Sequence, residues 1–119
     1  MSKRVLWDKY ETAILIDAYV RVENNELIEK DAKKEVSSLL RLRAINSGLE
    51  IDEKFRNING ISIQFNIIRG LMEGYPSNMH GPVNLFSDMV DLYKNNPSVF
   101  NMILVKAKQE CDFPVNIQG

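Results

Sequence analysis

Four clusters of turn-forming residues cut this chain into five stretches of helical length, and no other feature of the sequence limits the fold as strongly. The clusters are Asn46-Ser47-Gly48, Asn57-Ile58-Asn59-Gly60, the run from Gly74-Tyr75-Pro76-Ser77-Asn78 to Gly81-Pro82, and Asn95-Asn96-Pro97. The first stretch, about residues 8–23, opens on Asp8 with Glu11 three positions on, a spacing like that of a capping box. Trp7, Tyr10, Ile14, Ala18 and Val22 form its stripe, and Ala13, Leu15, Ile16 and Tyr19 widen it, which predicts a central helix. The second stretch, about residues 30–47, aligns Ala32, Val36, Leu39, Leu40 and Ala44, with Gly48 supplying a left-handed stop.

The stretch over residues 61–73 carries two patterns. Ile61, Ile63, Phe65 and Ile67 alternate with polar residues as a strand would, and Asn59-Gly60 is a hairpin signal. Ile61, Phe65, Ile68 and Met72 also fit a helical stripe, with Asn59 as its cap. No partner strand is evident, so the segment is read as helix. A fourth helix is expected over residues 83–95, through Leu85, Phe86, Met89, Val90, Leu92 and Tyr93. A fifth opens at Asn96-Pro97, turns Phe100, Ile103, Leu104 and Ala107 inward and ends near Glu110. The expected architecture is all-α: one compact bundle of about five helices in a single domain, residues 1–119. Its motif-bearing core covers about residues 6–110, followed by an irregular tail, 111–119.

At 119 residues with 45% hydrophobic side chains, the chain can bury a core without a disulfide or a metal. Cys111 is its only cysteine, which excludes an internal disulfide and a cysteine-based zinc site and fits a reducing compartment. Lys3 and Arg4 are not followed by an apolar stretch of signal length, and no membrane-length apolar run occurs, so a cytoplasmic protein without membrane contact is expected.

The formal net charge of −1 excludes a histone-like coat for nucleic acid, yet it is unevenly distributed. Residues 1–29 carry a net −2, residues 30–69 a net +3, and residues 70–119 a net −2. Within the basic part Lys30, Lys34 and Arg41 lie on one line at spacings of four and seven. Lys34, Arg41, Arg43, Lys54 and Arg56 are candidate phosphate or acidic-partner contacts. Asn57, Asn59 and Gln64 are of types that can read base edges. The simpler reading is a solvated face and a capped turn, except at Arg56, since a turn alone needs no guanidinium. That side chain either locks the loop to a helix or points outward.

Other chemistry is sparse. His80 is the only histidine, and a catalytic pair with Cys111 would require the two to meet in space. Glu50, Asp52 and Glu53 with His80 are the residues a metal-assisted hydrolase would use, but their spacing is that of a solvated loop. Gly70-Leu71-Met72-Glu73-Gly74 lacks the lysine of a phosphate loop, and Met72, Met79, Met89 and Met102 read as core filling. No cofactor is implied.

The chain carries Trp7 with Glu11, the string Glu35-Val36-Ser37-Ser38-Leu39-Leu40-Arg41, then Ile51-Asp52 and Phe55-Arg56-Asn57-Ile58-Asn59-Gly60-Ile61, and finally Leu85-Phe86 with Leu92-Tyr93. In this order they resemble a small helical module found in front of HNH nuclease or helicase-like regions in bacterial restriction and mobile-element proteins. The match covers about residues 6–108. The resemblance implies help with recognition of DNA or of a partner. A single histidine cannot build an HNH motif, so the catalytic part would be absent or supplied by another polypeptide. Two functions are therefore expected. One is a non-enzymatic module that binds DNA or RNA, or docks onto a nucleic-acid-processing enzyme. The other is a protein-binding inhibitor or adaptor of a defence or recombination nuclease, supported if apolar residues on the last two helices stay exposed. A homodimer through the first helix is a further possibility.

Overall fold

Asp8 opens the first helix through a reciprocal pair of hydrogen bonds. The Glu11 amide donates to Asp8 Oδ1 at 2.9 Å, and the Asp8 amide donates to Glu11 Oε1 at 3.2 Å. The structure, a computed structural model, describes residues 5–74 and 83–112. Five helices span them: α1 (Lys9–Glu23), α2 (Glu29–Asn46), α3 (Ile58–Met72), α4 (Val83–Asn95) and α5 (Pro97–Gln109). No strand occurs among the described residues. The architecture is all-α, as expected.

Helix α1 packs against each of the other four, which follow one another around it as α2–α3, α3–α4 and α4–α5 neighbours. Every residue from Glu11 to Ile16 is accordingly buried. The surface of α1 that the sequence offers for pairing two copies is thus covered by the chain's own helices. Helix α2 ends in a Schellman motif: Gly48, at φ +91°, donates to the Ile45 carbonyl, and Leu49 donates to that of Ala44 at 3.0 Å. Trp7 meets Phe86 edge-on at 5.5 Å between centroids, and Tyr93 meets Phe100 at 5.1 Å.

Helix α3 corrects one expectation in detail. It begins at Ile58 rather than Ile61, and its cap is Asn57, whose Oδ1 accepts from the Gly60 amide at 2.8 Å. Asn59 is the exposed second residue of the helix. The chain turns at Arg56, where φ is +47°, so the next residue with a short polar side chain takes the cap. A Cβ at position 60 would lie 3.2 Å from that Oδ1, which suits glycine there. Replacing Asn57 with alanine should lower stability by about 1 kcal/mol, read as a shift in the urea midpoint at unchanged slope.

Of the methionines expected in the core, Met89 is buried and Met72 packs on its edge, whereas Met102 is 70% exposed. Met79 lies outside the described residues. Cys111 is buried, donates to the Ala107 carbonyl at 3.3 Å, and burial pushes its thiol up to about 11. A thiol reagent at neutral pH should therefore leave the folded protein unmodified and label it only at the unfolding transition, followed by absorbance.

Candidate functional site

The connection between α2 and α3 is tied down by three side chains. Asp52 Oδ1 accepts from the amides of Lys54 and Phe55, both at 3.0 Å, forming a tight turn. Arg41 Nη1 reaches from α2 to the carbonyls of Asp52, at 3.0 Å, and Phe55. Ser37 Oγ donates to the Arg56 carbonyl at 2.7 Å.

Arg56 points inward. Its Nε and Nη2 form a fork on Glu11 at 2.8 and 3.1 Å, with the two side chains only 10% and 5% exposed. The rings of Trp7 and Phe55 lie 4.8 and 4.6 Å from the guanidinium carbon, and Nη2 also meets the Val5 carbonyl. The guanidinium therefore locks the loop to α1.

Arg43 is engaged in the same way, by Glu110 at 2.7 Å and Asp8 at 3.0 Å. Burial opposes its charge, but these carboxylates outweigh it and hold the group above its ordinary value. Two further cations of the basic segment, Lys33 and Arg69, both pair with Glu29. The Lys33 hydrogen bond acts against desolvation to hold Glu29 below the usual carboxylate range, with Arg69 adding to the effect. Lys30, Lys34 and Lys54 are the exposed cations of that segment. Gln64 is half-buried, and its Oε1 meets no hydrogen-bond partner among the described residues.

The structure thus brings Arg41, Arg56 and Asn57 to one loop, places Arg43 at the end of α2, and leaves Lys34, Lys54 and Asn59 on the surface. Glu50, Asp52 and Glu53 are exposed, and no three potential ligands among the described residues converge on a metal position. His80 lies outside the described residues.

A recess lies where the ring of helices around α1 is least closed, between α2 and α5. Side chains bridge this seam: Arg43 to Glu110, and Asn46 to the carbonyls of Glu110 and Asp112. Beside it opens a cleft of about 650 Å³ with Leu40 and Ala44 in its wall. Leu6, Leu49 and Phe55 supply further apolar lining, and Leu6 is 77% exposed, Leu49 39%. Sequence reasoning missed this cleft because its walls come from three segments far apart in the chain. Leu49 at the residue after a helix-ending glycine was the one available signal, since that position normally packs back on its helix.

No protein-family model, curated protein or solved structure matches the chain.

Proposed function

We propose that this chain is a non-enzymatic docking module that binds a protein partner through the cleft between α2 and α5, the partner being a nucleic-acid-processing enzyme or a component acting with one. The observation that carries the reading is the pair of leucines, Leu6 and Leu49, exposed at an apolar-walled recess. Exposed apolar side chains grouped at a cavity favour association. The candidate arginines of the basic segment favour it too, since Arg41, Arg43 and Arg56 are bound within the chain. Along α5, Val99, Met102 and Val105 are a second exposed apolar stripe of the kind a protein-binding factor would carry.

A photo-crosslinking residue at position 49 tests the reading in living cells. A defined polypeptide adduct is expected there and not from a control at Lys106; its absence overturns the proposal. Direct nucleic-acid binding is favoured by a different observation, the exposed Lys30 and Lys34 one turn apart on α2 with Lys54 also exposed. A gel-shift salt titration separates the two readings. Retention at low ionic strength that Lys34→Glu and Lys54→Glu abolish would make nucleic acid the ligand.

A further inference from the structure

The cleft is electrostatically one-sided. Asp8, Glu11, Glu110 and Asp112 all line it, against Arg43 as the only cation among the described lining residues. Arg56 neutralises Glu11 from behind, and Arg43 is shared between Asp8 and Glu110. Two negative charges are left over.

The backbone adds to this. Helix α2 ends at Asn46 and α5 at Gln109, and both of these residues lie in the lining, so two helix C-termini bring their negative ends to the same recess. The N-terminus of α1 opens there as well, but its positive end is already capped by the Asp8 and Glu11 carboxylates. The apolar lining from Leu6, Leu40 and Leu49 lies within this negative field.

Building on the docking reading, we propose that the cleft holds a short peptide segment of the partner in which leucine-like side chains alternate with lysine or arginine. The apolar side chains enter beside Leu40 and Ala44, and their removal from water drives association. The flanking cations meet Asp112 and Glu110, whose charge sets the preference for a basic over an acidic segment.

Trp7 is the sole tryptophan and sits between two lining residues, so its fluorescence reports on the cleft without a label. The probes are three capped peptides without aromatic residues: alternating Leu and Lys, an acidic twin of Leu and Glu, and a polar twin of Ser and Lys. The Leu/Lys peptide should bind and the twins should bind at least about tenfold more weakly. Leu49→Ser and, independently, Asp112→Lys should each weaken the Leu/Lys peptide by about tenfold, and raised salt should weaken it further. Equal binding by either twin, indifference to both substitutions, or no binding overturns the proposal. A dimer that Leu49→Lys dissociates, seen by sedimentation, makes a second copy the occupant and overturns it as well. Adducts at position 49 without Leu/Lys binding would leave the docking reading standing and remove the peptide class. Binding without adducts would do the reverse.

Discussion

Replacing Arg56 with methionine removes about 3–5 kcal/mol of stability, because it leaves the Glu11 carboxylate, 5% exposed, without its cation. Against a total of about 5–15 kcal/mol for a domain, that is a large share. Glu11→Gln should cost a similar amount by leaving the guanidinium unpaired between Trp7 and Phe55. Joining Arg56→Met to Glu11→Met should recover much of the loss, short of what Glu11 contributes to the capping box. Urea unfolding followed by circular dichroism measures all three. The loss should also be insensitive to salt, as a buried pair is little screened. A loss below about 1 kcal/mol would reduce the pair to an ordinary surface bridge. Because Arg56 sits at φ +47°, Arg56→Gly should be more stable than Arg56→Ala by about 1 kcal/mol.

Phe65→Ala should cost about 3–5 kcal/mol, whereas Ile63→Ala should stay within about 0.5 kcal/mol. Phe65 is wholly buried, edge-on to Tyr19 at 5.7 Å, with the cations of Lys33 and Arg69 over its ring at 5.4 and 5.3 Å. Ile63 is 49% exposed on the other side of α3. The contrast also tests the alternation seen in the sequence. In a strand Ile63 and Phe65 would face the same way and be equally sensitive. On the helix they are about 200° apart, from about 100° per residue. Comparable losses at the two positions would contradict the helix.

What could be read in the sequence is what local chemistry decides. The Asp8–Glu11 box, the Gly48 stop and the stripe of α3 each depend on residues within a turn or two, and each is found in place. Asn57 and Asn59 were interchangeable as caps by residue type. Only the turn at Arg56, pinned by Ser37 from another helix, selects between them. The basic segment was legible as a net +3 but not as a set of bonds, because its partners lie elsewhere in the chain. Arg56 finds Glu11 across 45 positions and Arg43 finds Glu110 across 67. Spacing along one helix says nothing about carboxylates that far away. The cleft was illegible for the same reason, since it exists only where residues near 6, 46 and 110 meet.

The central position of α1 has a consequence for synthesis. Its N-terminal half is covered on several sides, and one of those sides belongs to α5, which ends at Gln109. A growing chain on the ribosome therefore carries its most deeply buried helix incompletely covered until nearly all of the described sequence has emerged. Folding of this domain must wait until α5 has emerged, and Ala13 to Ile16 form the stretch on which a nascent-chain chaperone would act.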